Sequence, residues 1–183
     1  MITVPDSLRD RIENTFNYAF FPWFYSDSIA YDSRNEQFLK DFQFYHLFYK
    51  DGSVYSDKYE MVYHLIYLFE SYTANKVAKV LRCKANLTLN AEFNDFELAN
   101  TIHQDSDNPK CCTLLYYVND SDGDTVIYNN DKSEVLFSHS PQKGKMVWFN
   151  PNLPHRATPP IKHKKRMVIN FVLELENEIN WSK

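Results

Sequence analysis

Residues 111–149, "CCTLLYYVNDSDGDTVIYNNDKSEVLFSHSPQKGKMVWF", decide the fold class. Short apolar runs at about 111–118, 125–128, 133–137 and 145–149 are separated by the turn-forming clusters "NDSDGD" and "NNDK". That spacing predicts strands of an antiparallel sandwich or barrel. The pattern continues on both sides. Upstream, "VLRCKANLTL" (80–89) alternates Leu81, Cys83, Ala85, Leu87 and Leu89 with Arg82, Lys84, Asn86 and Thr88, a strand with one apolar face. Downstream, "RMVINFVLE" (166–174) puts Arg166, Val168 and Asn170 on one face and Met167, Ile169 and Phe171 on the other. The expected class is mainly β with flanking helices, arranged as a jelly roll.

Ahead of residue 80 the chain is aromatic, as in "FNYAFFPWFY" (16–25) and "FQFYHLFY" (42–49). Val62, Leu65, Ile66, Phe69 and Tyr72 form one stripe at helical spacing and predict a helix over 58–73, with Asp57 and Glu60 as its capping box. A shorter helix is expected to begin at Pro5, since proline suits the first helical position. Alternation of Phe42, Phe44, His46 and Phe48 predicts a strand over 41–49. The aromatic residues here read as core rather than as a ligand cage. The expected organisation is one domain, 1–183, with 1–79 as a helical and aromatic support and 80–176 as the jelly-roll core.

Composition narrows the function. A formal charge of −4 gives no overall attraction for nucleic acid, and the basic run "KHKKR" (162–166) reads as a solvated loop. No apolar run approaches the length of a membrane helix and the N-terminus has no apolar signal region, so a cytosolic protein is expected. Cys83, Cys111 and Cys112 form no Cys-x-x-Cys pair, which argues against a disulfide framework and a thiolate zinc site. With only Gly52, Gly123 and Gly144 available, Walker and Rossmann nucleotide loops are excluded.

Between 101 and 110, "TIHQDSDNPK" places His103 and Asp105 two residues apart. On extended backbone such residues point to one side, so an imidazole nitrogen and a carboxylate oxygen can converge on one ion. The pair is weak by itself: among six histidines and 24 acids about one is expected by chance. His155, in "FNPNLPHRATPP" (149–160), supplies a third ligand. Two histidines and a carboxylate form the facial triad of non-haem Fe(II) oxygenases, although zinc accepts the same ligands. Arg166, eleven residues on, sits on a strand face that needs a counter-charge; a ligand carboxylate gripped by its guanidinium fork would supply one. Tyr117 is a second donor to that carboxylate, with Tyr116 taking its place if strand parity shifts by one. Lys84, Asn86 and Asn170 lie on polar faces that either line a pocket or meet solvent. His46, His64, His139 and His163 have no partner at ligand spacing.

The ordered set "HQD", "CCTLLYYVND", "DGDTVIY", "GKMVWFNPNLPHR" and "RMVINFVL" resembles the Fe(II)/2-oxoglutarate-dependent oxygenases, in particular the prolyl-hydroxylase-like branch and small phage-encoded members. The resemblance covers about residues 80–175. It implies a double-stranded β-helix, Fe(II) on His103, Asp105 and His155, and 2-oxoglutarate whose distal carboxylate rests on Arg166 and Tyr117. It further implies O2 as cosubstrate, ascorbate as a candidate reductant, and hydroxylation of a C–H bond in a peptidyl proline or another peptide or small molecule. Two departures stand out. Many relatives carry serine where this chain has Val168, so Tyr117 or Asn170 must make up a lost contact. Relatives often carry Gly-Gly before "TVIY", where only Gly123 remains. The rival readings are a cupin-like metalloenzyme that does not use 2-oxoglutarate, and a non-catalytic jelly-roll binding protein.

Overall fold

A computed structural model describes residues 1–26, 42–90, 92 and 102–181. Strand β1 (Ile2–Thr3) leads into helix α1 (Asp6–Asn17), followed by β2 (Phe24–Ser26), β3 (Gln43–Lys50), β4 (Ser53–Val54) and helix α2 (Tyr59–Thr73). Then come β5 (Val77–Leu89), β6 (Cys111–Tyr117), β7 (Thr125–Tyr128), β8 (Val135–His139), β9 (Lys145–Phe149), β10 (His155–Ala157) and β11 (Lys165–Leu175). Among the described residues, the strands form an eight-stranded sheet in the order β1-β9-β6-β11-β5-β3-β2, with β4 on β3, and a three-stranded sheet, β10-β7-β8. The larger sheet packs helices on one face and the smaller sheet on the other, the arrangement of a double-stranded β-helix.

Strand parity builds both layers. On β11, Met167, Ile169, Phe171, Leu173 and Leu175 join Cys83 and Ala85 of β5, Leu114 and Tyr116 of β6, and the helices in one core. Helix α1 contributes Ile12 and Phe16, and α2 contributes Met61, Val62, Leu65, Ile66 and Phe69. Burying each large apolar side chain contributes about 1.5–3 kcal/mol. The opposite parity makes a smaller cluster between the sheets: Leu115, Tyr117, Ile127, Val147, Phe149 and Val168. In register, Val168 pairs with Tyr117 on one side and Asn86 on the other, and Asn170 pairs with Lys84. On β11, the residues predicted to share a face do so.

Several local expectations are corrected. The Asp57–Glu60 capping box does not form: α2 starts behind Lys58 with no side-chain cap, and Ser56 Oγ instead accepts from the Lys58 N–H at 3.2 Å. Tyr72 keeps to the stripe but is exposed, because it sits in the last turn of α2, where its ring meets the Trp148 ring edge-on. Pro5 precedes the first turn of α1 instead of occupying it. Strand β3 matches the predicted 41–49 run to within two residues, although residue 41 lies outside the described residues. No motif announced β10, since a three-residue strand is too short to show alternation. Among the described residues, no helix is long and apolar enough to cross a membrane, and all three cysteines are buried and free.

Candidate active site

The space between the sheets holds a cavity of about 300 Å³, lined at its centre by His103, Asp105 and His155. Two backbone bonds bring these residues together. His103 N–H donates to the His155 carbonyl at 3.0 Å and His155 N–H returns to the His103 carbonyl at 2.9 Å, so the His-x-Asp segment is tied antiparallel to β10. Asp105 N–H is fixed by the Pro151 carbonyl at 2.9 Å. One nitrogen from each histidine and one oxygen of Asp105 all lie within 4.8 Å of one another.

Each donor is aimed by its neighbours. His155 Nδ1 lies 2.9 Å from the Leu153 carbonyl, which requires the proton on Nδ1 and leaves the Nε2 lone pair facing Asp105 Oδ2 at 3.4 Å. The edge of the Phe149 ring braces the same imidazole, with centroids 4.8 Å apart. Asp105 Oδ1 accepts from Arg82 Nη2 at 2.7 Å and Oδ2 from Thr113 Oγ1 at 2.8 Å. A carboxylate has about four acceptor sites, so each oxygen keeps one for a cation. Burial works to raise the Asp105 carboxyl; the adjacent His155 ring and the charge of Arg82 outweigh it and hold the group well below the usual carboxylate range. An ionised carboxylate and two imidazole nitrogens, one on a fixed tautomer, suit a divalent transition metal.

The other end of the cavity is built around Arg166. It is 3% exposed, and no carboxylate lies within ion-pair distance of it among the described residues. Burial weighs against its charge. Its Nε donates to the Gly123 carbonyl at 2.9 Å and its Nη2 to Thr125 Oγ1 at 2.8 Å, which aims the fork without neutralising it. Tyr117 faces the same side, but its hydroxyl donates to Thr125 Oγ1 at 3.1 Å. Tyr116, on the opposite parity, points into the helical core. Lys84, Asn86 and Asn170 all line the cavity, and the side-chain oxygens of Asn86 and Asn170 are buried without a partner among the described residues. Gly123 is forced by space: a Cβ there would stand 2.5 Å from the Thr158 carbonyl and 3.1 Å from Arg166 Cδ.

Sequence reasoning missed Thr125, Thr113 and Arg82. Arg82 shares its strand face with Lys84 and Asn86, so the alternation that selected those two applied to it equally. Thr125 opens the "TVIY" run and Thr113 sits inside "CCTLLYY"; hydroxyls in apolar strands could have been singled out as buried groups in need of partners. The remaining histidines sit elsewhere: His46 bonds the Pro22 carbonyl, His64 the Glu60 carbonyl and His163 the Asp122 carboxylate, while His139 stacks on Tyr117.

The sequence profile of the 2OG-Fe(II) oxygenase superfamily matches residues 89–174. No curated protein matches the sequence. Among solved structures, the chain is similar to an oxidoreductase of the 2OG-Fe(II) oxygenase family from Burkholderia pseudomallei, with a TM-score of 0.63 and 14% identity over 93% of this chain and 80% of that one. It is also similar to a non-heme alpha ketoglutarate dependent epimerase of nogalamycin biosynthesis, with a TM-score of 0.60 and 10% identity over 93% and 73% of the two chains. A prolyl hydroxylase from Trichoplax adhaerens, solved with a hypoxia inducible factor peptide fragment, aligns with a TM-score of 0.52 and 18% identity over 77% of this chain and 66% of that one. At such identities the likeness is one of fold. The cofactors of the matched superfamily are Fe(II), 2-oxoglutarate and O2, and a two-histidine, one-aspartate cluster lies inside the matched span. Residues 89–174 thus match the 2OG-Fe(II) oxygenase superfamily, an oxidoreductase group, and the fold around them is similar to that of solved structures of that group.

Proposed function

We propose that the protein is an Fe(II)- and 2-oxoglutarate-dependent dioxygenase that hydroxylates a C–H bond of a peptide or small-molecule substrate. The observation that carries this reading is the pairing, in one cavity, of three converging donors with a buried arginine that has no carboxylate partner among the described residues. His103, Asp105 and His155 would hold the iron, and Arg166 would hold the distal carboxylate of 2-oxoglutarate. When bound, the iron supplies the coupling of O2 to decarboxylation of 2-oxoglutarate, giving succinate, CO2 and one oxygen atom in the substrate.

The chain's own residues position and desolvate. Thr125 Oγ1 accepts from both Arg166 and Tyr117, so its own proton remains to donate to the same carboxylate. Thr125 thereby supplies the hydroxyl that a serine at position 168 would otherwise give, and Tyr117 supports it from behind. Asn170, with its unpartnered oxygen and an amide NH2 beside it, suits the end of the cosubstrate nearer the iron. Val168, Leu115 and the apolar cluster behind them keep water off this wall. Arg166 also separates this reading from a cupin-like one, which would have no use for a bare guanidinium at this depth.

Peptide recognition by the Trichoplax hydroxylase and the different chemistry of the epimerase show that the fold alone does not select the outcome. The test is anaerobic addition of Fe(II) and 2-oxoglutarate, which should produce a weak visible charge-transfer band, followed by O2 and mass spectrometry for a gain of one oxygen in a peptide and metabolite panel. A missing band in metal-replete protein, or its persistence in Asp105→Ala, would overturn the assignment.

A further inference from the structure

One wall of the cavity is left over once the metal ligands and the Arg166 end have been assigned. Arg82 and Lys84 stand two apart on the inner face of β5, and with Arg156 and Arg166 they bring four cationic residues to the lining. Asp105 is the single acidic residue among the described lining residues, in a chain whose formal charge is −4. The excess is therefore local to the cavity.

The partners of these cations are unequal. Arg82 Nη2 is matched by Asp105 at 2.7 Å, yet its Nε is buried with no acceptor among the described residues. Lys84 faces Asn170 across the β5–β11 ladder and makes no hydrogen bond or ion pair among the described residues. Beside it, the Asn86 side-chain oxygen is likewise buried and unpartnered. Burial and the neighbouring Arg82 push the Lys84 ammonium down to about 8, against a weaker pull from Asp105. Loading the site does not relieve this wall: a divalent ion adds as much positive charge as the two carboxylates of 2-oxoglutarate remove. A partly desolvated ammonium without a partner is costly, and an anion is the group that would satisfy it.

Size points the same way. A cavity of about 300 Å³ is at the small end of ligand sites, and 2-oxoglutarate takes a share of it. We infer that the substrate is a small molecule carrying a carboxylate or phosphate, seated on Lys84 with Arg82 beside it, rather than an uncharged prolyl segment. This rests on the 2-oxoglutarate reading above. The anion anchors the substrate on the β5 wall so that one C–H bond faces the metal ligands.

Titration calorimetry on the full chain, loaded with Mn(II) and 2-oxoglutarate so that no turnover occurs, decides the matter. The carboxylate arm uses L-glutamate and L-proline, the phosphate arm thymidine monophosphate, and the uncharged control N-acetylprolinamide. At least one anionic probe should bind saturably, about tenfold more weakly in Lys84→Gln and at wild-type strength in Lys84→Arg, while 2-oxoglutarate affinity stays within about twofold in both variants. Lys84→Met, which keeps the apolar stem, replaces Lys84→Gln if melting curves show that variant unfolded. The inference fails if the uncharged probe binds as tightly as the anions, if no anionic probe binds, or if Lys84→Gln weakens 2-oxoglutarate to the same degree. Failure of 2-oxoglutarate itself to bind strikes the preceding reading instead, and the anionic arms on the Mn(II)-loaded protein then still decide this one.

Discussion

Arg166 Nη2 donates to Thr125 Oγ1 at 2.8 Å, and the same oxygen accepts the Tyr117 hydroxyl at 3.1 Å. With both lone pairs occupied, the threonine proton is the one left to meet a bound anion. Thr125→Val should raise the dissociation constant for 2-oxoglutarate about tenfold, since hydrogen bonds to charged groups contribute about 1.5–3 kcal/mol. Tyr117→Phe should cost only about two- to threefold, because it removes a supporting bond. Calorimetry with Mn(II) in place of iron measures both; equal losses would restore Tyr117 as the direct donor.

Gly123 carries the second anchor of Arg166. A methyl group at this position would meet the Thr158 carbonyl at 2.5 Å and the backbone nitrogen of Pro160 at 3.0 Å, both unable to move aside as a flexible side chain could. Gly123→Ala is expected to destabilise the fold by about 1–3 kcal/mol, the usual cost of overpacking, and to weaken 2-oxoglutarate by displacing the carbonyl that holds Arg166 Nε. A thermal melt reads the first effect and cosubstrate titration the second.

Thr113 orients the candidate metal ligand Asp105. Its hydroxyl donates to Asp105 Oδ2 at 2.8 Å, and outer partners of this kind typically govern about 10–100-fold in metal affinity. Thr113→Val keeps the volume and the apolar packing of a fully buried strand residue, so Fe(II) or Mn(II) affinity should fall within that range while the fold stays intact. Asp105→Ala should remove metal binding altogether.

The loop that delivers β11 depends on pH through Asp122. Partial burial works to raise this carboxyl, but the N–H groups of Lys162 and His163 and the His163 ring outweigh it and hold it well below the usual carboxylate range. A carboxyl depressed on folding contributes stability that is fully present above its unfolded value, near 4, and is lost as pH falls through its folded value. Acid denaturation should therefore steepen below about pH 4 in the wild type, and Asp122→Asn should flatten that limb while lowering stability at neutral pH. Urea midpoints between about pH 2 and 7 provide the comparison.

Much of the site was legible because strand periodicity is a local property. Alternation in "RMVINFVLE" fixed that Arg166, Val168 and Asn170 share a face, and alternation in "VLRCKANLTL" put Lys84 and Asn86 on one side, which the ladder between β5 and β11 then joins. Which of Tyr116 and Tyr117 faces the cavity was not legible, since a shift of one residue exchanges them; the structure puts Tyr117 between the sheets and Tyr116 in the helical core. Capping at α2 was not legible, since the Asp57–Glu60 pattern competes with Ser56 and nothing local decides between them. Strand β10 was invisible for a different reason: its three residues are held by the bridge to His103 and the pairing with β7, both distant in sequence.

By itself, the sequence determined the class of fold, the order of the strands and the residue types able to bind a metal and an anion, because spacing, turn chemistry and donor identity are written along the chain. Only the tertiary structure decided which hydroxyl stands beside Arg166, which cation stands against Asp105 and which is left without a partner among the described residues. Those outcomes depend on side chains from strands far apart in sequence meeting in one cavity, where burial removes water and makes each missing partner count.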